Sequence, residues 1–294
     1  MIKRDNNPEL IKTKYGFYTA KYKPDQEELN DYYANNYYQD ESNSDTYKSN
    51  YSEDEYKHKV FNNRIIATKC KNICRNAESI YDIGCGEGFL VEEFYKLDFK
   101  VKSCDFSNAI VKFFPHLENF HTQGDIYEIL SNDFKNQKFD ILTVQNVLEH
   151  VLEPVEFIEL LKQGMHKDSI LVVSVPNDFS DLQMKLLEKN QTKKRWLCYP
   201  DHLSYFTPDS MNNFMNDLGI EIIATTATFP IEIFLLNDVL NYDKDPSKGK
   251  DAFSIVRDFD LYLSTLDINK VISLYEKYAD LGVGRDFFYY CKLK

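Results

Sequence analysis

The stretch SIYDIGCGEGFLVEEF, Ser79 to Phe94, sets glycines at positions 84, 86 and 88 directly after a short apolar run and directly before an amphipathic acidic one. Side-chain-free positions at the end of a strand allow a tight turn and let a ligand lie against the main chain as it enters a helix. A strand, a bare turn and a helix in that order open a mostly parallel sheet that holds its ligand at the carboxyl edge of the strands. A chain built this way must supply further buried strands with helices between them.

The remaining sequence does so. SIYDIG, KVKSCDFS, FDILTVQ and SILVVSVPND read as strands, NFHTQGD as a short one, and IEIIATTATF and RDFFYYCKL as the last two. Helix-like stretches separate them: YKHKVFNNRIIATKCKNICRNA, EGFLVEEFYKLD, EPVEFIELLKQGM and MNNFMNDL, with a broken helix in NAIVKFFPHL. Continuous apolar strands alternating with helices predict an α/β fold, a Rossmann-like seven-stranded, mostly parallel sheet with helices on both faces. The core is expected over residues 57–229, and residues 285–294 supply its last strand. A helical insertion at 230–284 precedes that strand and is expected to be a cap, a packing layer or the contact of a homodimer.

Residues 1–56 differ in character. Ten of the 21 tyrosines fall between Tyr15 and Tyr56, among Asp, Asn and Ser. PDQEELNDYYANNYYQ suggests a short helix after Pro24, and DESNSDTYKSNYSEDE is polar enough for a mobile loop. The segment is read as an arm or lid in which Tyr32, Tyr33, Tyr37 and Tyr38 exclude water from a ligand.

A formal net charge of -12 repels phosphate backbones and anionic lipid, so nucleic acid is not expected as a partner. The six cysteines show no CxxC pair and no zinc-type spacing, which suits reduced thiols in a cytoplasmic protein. The opening MIKRDNNPEL lacks the apolar centre of a secretory signal, and no apolar run is long enough for a membrane span.

Acids crowd the glycine turn. Asp82 precedes it, Glu87 lies within it, and Asp105 ends the next strand about 20 residues on, where a carboxylate can hold ribose hydroxyls. Such a field opposes a pyrophosphate and favours a ligand that carries positive charge. A nicotinamide-dependent dehydrogenase or epimerase would show GxGxxG and often YxxxK; this chain has GxGxG. A non-catalytic cofactor-binding module is the other alternative.

DIGCGEG, CDFS, GDI, VQNVLEHVLEP and the later ILVVSVPN and DHLSYFTPDSMNNFMNDLGIEI together resemble the class I S-adenosylmethionine-dependent methyltransferases, over roughly residues 64–229. The later segments are similar to a small-molecule subgroup that includes methyltransferases of quinone precursors and bacterial sugars. The resemblance implies S-adenosylmethionine as cofactor and S-adenosylhomocysteine as product. It implies that Gly84, Cys85, Gly86 and Gly88 carry the methionine and ribose part, that Asp105 holds the ribose, and that Phe106, with Ser107 beside it, and Ile126 flank the adenine. Asp125 would accept from the adenine amine, Gln145 and Asn146 would meet the methionyl ammonium with Asp82 behind them, and Arg64 could pair with the carboxylate.

The sulfonium activates its own methyl group, so the protein's tasks are alignment and removal of a proton from a hydroxyl acceptor. His150 in NVLEHV and His202 in YPDHLSYF fall on the functional edge and are the candidate bases. Glu149 is read as holding a backbone or ring nitrogen, and Tyr205 as orienting the acceptor. Lys193, Lys194 and Arg195 interrupt the acidic chain and could grip a phosphate. The acceptor expected on this basis is a sugar phosphate or nucleotide sugar of surface-polysaccharide biosynthesis, methylated on oxygen; a quinone precursor or an amine is the alternative. No metal centre is expected, although Asp201, His202 and Asp178 offer donor atoms near one loop.

Overall fold

The computed structural model describes residues 7–32 and 51–294. Ten strands are present among them: β1 Leu10–Lys12, β2 Tyr18–Ala20, β3 Ser79–Ile83, β4 Lys100–Asp105, β5 His121–Gln123, β6 Phe139–Gln145, β7 Met165–Pro176, β8 Ser204–Tyr205, β9 Ile220–Ala227 and β10 Asp286–Leu293. The α-helices are α1 Gln26–Tyr32, α2 Glu53–Ile73, α3 Phe89–Tyr95, α4 Ala109–Phe113, α5 Ile126–Asp133, α6 Pro154–Gln163, α7 Asp181–Glu188, α8 Pro208–Asp217, α9 Gly249–Leu263 and α10 Ile268–Asp280.

Seven strands form one sheet in the order β5-β4-β3-β6-β7-β10-β9. The five from β5 to β7 are parallel neighbours, and β10 runs antiparallel to both β7 and β9. The predicted α/β class and strand number are borne out. Strand alternation sends successive residues to opposite faces. On β7, Leu171, Val173 and Val175 enter one apolar cluster, whereas Ile170 and Val172 enter another on the far side. A sheet buried on both faces is what its continuous apolar runs require. The order also makes β3 and β4 adjacent, with their carboxyl ends side by side, so the glycine turn after β3 and Asp105 at the end of β4 meet.

Helix α2 begins three residues before the expected Tyr56. Ser52 caps it: its Oγ accepts from the Glu55 amide at 3.3 Å while Glu55 Oε2 accepts from the Ser52 amide at 2.9 Å. That reciprocal pair turns the end of the polar stretch read as a loop into a helix start. The rest of that stretch, with Tyr33, Tyr37 and Tyr38, lies outside the described residues.

Residues 230–284 pack along the side of the sheet. Leu263 of α9 and Val271, Ile272 and Tyr275 of α10 share an apolar cluster with Phe61 and Ile65 of α2. Asp260 ties the same seam together, accepting from Tyr275 Oη at 2.7 Å and lying 2.8 Å from His58 Nε2.

A second sheet, β1-β2-β8, is antiparallel and small. Tyr18 pairs with Tyr205 and Thr19 with Ser204, while Phe17 packs on Phe206 with ring centroids 4.5 Å apart. Through it the N-terminal segment is stitched to the loop that carries His202. No described helix is long and apolar enough to cross a membrane.

Candidate active site

The turn after β3 is left-handed at each glycine. Gly84 has φ +70°, and a Cβ there would sit 2.4 Å from Val147 Cγ2; Gly88 has φ +81°, and a Cβ would sit 2.3 Å from Ile110 Cγ1. Both conformation and space exclude a side chain. Asp105 anchors the turn from the neighbouring strand. Its Oδ2 accepts from the Gly86 amide at 2.9 Å and its Oδ1 from the Ser107 amide at 2.7 Å.

Asp82 lies beneath this turn, buried. Oδ1 accepts from Thr143 Oγ1 at 2.6 Å, whereas Oδ2 has no hydrogen-bond partner. Burial pushes the carboxyl up to about 7, only partly offset by the threonine bond, with the Asp105 charge raising it further. The unfolded chain releases this proton near the ordinary value of 3.8 and the folded chain near 7. Stability is therefore lost as pH rises between those values, by up to ~4 kcal/mol at about 1.36 kcal/mol per unit. Denaturation of the parent and Asp82→Asn at about pH 5 and about pH 8 checks this; the variant should gain roughly 1–3 kcal/mol relative to the parent at the higher pH.

The turn opens into a cavity of about 450 Å³. Gly84, Cys85, Gly86 and Gly88 line it from the first turn, Asp105 and Phe106 from the second, and Ile126 and Tyr127 from the start of α5. Gln145 and Asn146 enter from the end of β6. Asn146 has φ +50°, and its side-chain oxygen accepts from Ser174 Oγ at 3.1 Å. Lys59 and Asn63 of α2 add a wall, with Lys59 Nζ 2.7 Å from Glu87 Oε2. Gln26 and Leu29 of α1 add another.

At the remaining end stand Glu149, His150 and His202. The turn after β6 supplies the first two, and the loop before β8 supplies the third. The loop and the turn are joined by backbone, since the Leu203 and Ser204 amides donate to the Glu149 carbonyl at 2.8 and 3.1 Å. The two imidazoles meet edge to face with centroids 4.9 Å apart. His150 Nδ1 donates to the Asp201 carbonyl, which turns Nε2 toward Glu149 Oε1 at 3.7 Å. Both carboxylate oxygens of Glu149 and Nδ1 of His202 are buried without a hydrogen-bond partner. Desolvation holds both imidazoles below their ordinary value and Glu149 well above its own.

The model of a family described as a methyltransferase domain matches residues 56–225. The chain belongs to this methyltransferase family. A ubiquinone biosynthesis O-methyltransferase of Glaesserella parasuis serovar 5 (strain SH0165) is 31% identical over 118 residues, 37% of this chain and 50% of the relative. One from Rhodopseudomonas palustris (strain TIE-1) is 26% identical over 164 residues, 51% and 64% of the two chains. The chain thus matches between half and two thirds of these curated relatives' length. The fold is shared with the plantazolicin methyltransferase BamL, solved with a triazolic desmethylPZN analog and SAH, at TM-score 0.53 and 10% identity over 90% of this chain and 94% of that one. The plantazolicin methyltransferase BpumL gives 0.52 and 13% over the same shares.

The cofactor of the methyltransferase is S-adenosylmethionine, and the cavity fits it. The unpartnered, buried carboxylate oxygen of Asp82 beneath the turn favours a ligand that brings positive charge, and the glycine turn leaves main chain bare beside the cavity. Most of the residues expected from the sequence converge here. Five stand apart from the lining, the first being Asp82 beneath the turn. Arg64 is half-exposed and its Nε donates to Glu93 Oε2 at 3.1 Å. Asp125 caps α5 through the Tyr127 and Glu128 amides, and the Ser107 amide is committed to Asp105. Tyr205 is fully buried and donates from Oη to the His202 carbonyl at 2.9 Å, so it stands behind the histidine rather than in the cavity.

The basic cluster is also elsewhere. Arg195 Nε pairs with Asp243 Oδ1 at 2.9 Å, and the Lys193 amide donates to the same carboxylate, so the segment is fastened to the 230–284 region. Lys193, Lys194 and Arg195 do not line the cavity. Nor do Asp178, Asp201 and His202 form one group: Asp178 pairs with Arg285 at 3.2 Å, and Asp201 accepts from Tyr32 Oη. Glu149 differs from its expected role as well, because its carboxylate holds neither a backbone nor a ring nitrogen at hydrogen-bond distance. Lys59, Asn63 and Tyr127 were not legible as lining residues; the helical pattern of α2 gives no sign of which face meets the cavity.

Proposed function

We propose that this methyltransferase moves a methyl group from S-adenosylmethionine to a hydroxyl oxygen of a small aromatic acceptor of the quinone-precursor kind. The cofactor supplies an electrophilic methyl on a sulfonium and leaves as S-adenosylhomocysteine. Gly84, Gly86 and Asp105 hold it against the main chain, with Gln145 and Asn146 at its amino-acid end. The observation that carries the reading is the Glu149, His150 and His202 cluster in the same cavity as the glycine turn. A phenolic hydroxyl must lose a proton before or as it attacks, and this cluster of two neutral imidazoles and a carboxyl is the group placed to handle it.

Apolar side chains surround that end. Val151 and Leu152 follow the cluster in sequence, Pro176 ends β7, and Leu29 lies on α1, whose Tyr32 contacts Asp201 beside His202. An aromatic ring suits such walls better than a phosphorylated sugar. The sugar-phosphate reading rested on the family resemblance and on Lys193, Lys194 and Arg195, which do not line the cavity, and the relatives named above are called ubiquinone biosynthesis O-methyltransferases. The quinone-precursor alternative is therefore the one adopted.

The test is mass spectrometry of reactions containing S-adenosylmethionine with catechols and phenols bearing an alkyl or prenyl tail, sugar phosphates, nucleotide sugars and aryl amines. A gain of one methyl on the phenolic set alone is expected. Methylation confined to the sugars or the amines would replace this reading.

A further inference from the structure

We propose that His121 and Gln123 of β5 are positioning residues for the cofactor. Their side chains pin the second turn of the cavity, residues 105–107, beside the glycine turn, where the nucleoside half of S-adenosylmethionine binds. Neither residue lines the cavity, and the reading rests on the cofactor rather than on the acceptor proposed above.

Strand β5 is three residues long and lies at the edge of the sheet, so the side chains at 121 and 123 fall on one face of it. The register sets Ser103 opposite His121 and Asp105 opposite Gln123. Gln123 Nε2 donates to the Phe106 carbonyl at 3.0 Å, and His121 Nε2 donates to the Ser107 carbonyl at 3.1 Å. Two consecutive carbonyls of the turn are thus held by side chains of the neighbouring strand. The Gly124 amide adds a bond to the Asp105 carbonyl at 3.0 Å.

A carbonyl can only accept, so His121 carries its proton on Nε2 and leaves Nδ1 to accept. It accepts from the Oγ of the buried Ser103 at 3.1 Å, and Cys85 Sγ of the glycine turn lies 3.7 Å from the same nitrogen. The imidazole therefore touches the first turn at Cys85 and the second at Ser107. The titratable groups that face it are the Cys85 thiol and the Asp105 carboxylate. Desolvation holds the ring below its ordinary value against the opposing Ser107 bond and Asp105 charge, so the neutral form that can both donate and accept is present near neutral pH. Asp105 grips the turns from the cavity side through the Gly86 and Ser107 amides, and His121 and Gln123 grip the second turn from the outside through its carbonyls. A turn fixed from both sides loses little freedom when a ligand settles on it, and that saving appears as affinity.

Calorimetry on the full chain tests the assignment with two ligands, S-adenosylhomocysteine and 5′-methylthioadenosine, which share the nucleoside and differ in the amino-acid half. A glutamine at 121 places an amide nitrogen where Nε2 stood, whereas an asparagine reaches only as far as Nδ1. His121→Gln should stay within about 2-fold of the parent, and His121→Asn and Gln123→Ala should each weaken both ligands by the same factor, roughly 3- to 10-fold, the size of one net hydrogen bond. A merely structural role would make affinity follow the midpoint of thermal unfolding across these variants; positioning makes it follow the donor to the Ser107 carbonyl. Equal losses in His121→Gln and His121→Asn overturn the assignment. So does undiminished affinity in folded His121→Asn and Gln123→Ala, or a loss seen with S-adenosylhomocysteine and not with 5′-methylthioadenosine. Both ligands are bound without an acceptor, so the two readings fail separately: a chain that shows the expected affinities but methylates no phenol loses the proposed acceptor alone.

Discussion

Gly84→Ala should destabilise the methyltransferase by about 2–5 kcal/mol and lower the midpoint of thermal unfolding by roughly 3–8 °C. Two costs combine. A left-handed backbone costs a non-glycine residue ~1–2 kcal/mol, and the new methyl meets Val147 Cγ2 at 2.4 Å, which forces the turn after β6 to move. That turn carries Glu149 and His150, so cofactor and acceptor binding should weaken together, on the order of 10-fold in S-adenosylhomocysteine affinity by calorimetry. Gly219 provides the control. Its φ is +72°, close to that of Gly84, yet nothing lies within 4 Å of its added Cβ. Gly219→Ala should therefore pay the conformational cost alone, and the difference between the two variants isolates the clash. Val147→Ala in the Gly84→Ala background should recover part of the loss. Equal effects at both glycines would show that the close approach to Val147 carries no energy.

The sheet was readable because its strands are buried on both faces, so ILTV and ILVVSV appear as unbroken apolar runs that no other environment would tolerate. The turn was readable because three glycines at alternate positions have a conformational cause. The β1-β2-β8 sheet was not, since strands of two or three residues carry no period, and their pairing joins positions nearly two hundred residues apart. Side-chain engagement was equally hidden. Lys193, Lys194 and Arg195 look like an anion grip in sequence, and only the fold brings Asp243 to Arg195. Histidines 150 and 202 could be assigned to one edge of the sheet, but the partnerless state of Glu149 beside them follows from burial by both loops and has no signature in NVLEHV. In each case the legible part is local pattern, and the illegible part is a contact between segments far apart in the chain.

Glu149→Gln, and separately His202→Ala, should lower kcat for phenolic acceptors by about 100- to 10,000-fold while S-adenosylhomocysteine affinity changes only a few-fold. In the proposed mechanism the cluster handles the proton of the acceptor, and the cofactor is held mainly by other groups of the cavity. Two side chains that serve one oxygen, as proposed, are not additive, so the double variant should lose far less than the product of the single losses. Tyr205→Phe tests positioning. Removing the hydroxyl that holds the His202 carbonyl leaves the imidazole present but less well placed, so a smaller fall in kcat is expected, with KM for the cofactor unchanged. Acceptor acidity supplies the decisive readout. A nitro-substituted catechol is already largely ionised near neutral pH and needs little help to lose its proton, so it should recover much of the rate in Glu149→Gln and His202→Ala. A merely structural role would depress ordinary and acidic acceptors alike. Equal losses for both acceptors would remove the cluster from proton handling and leave alignment behind the methyl group as its whole contribution.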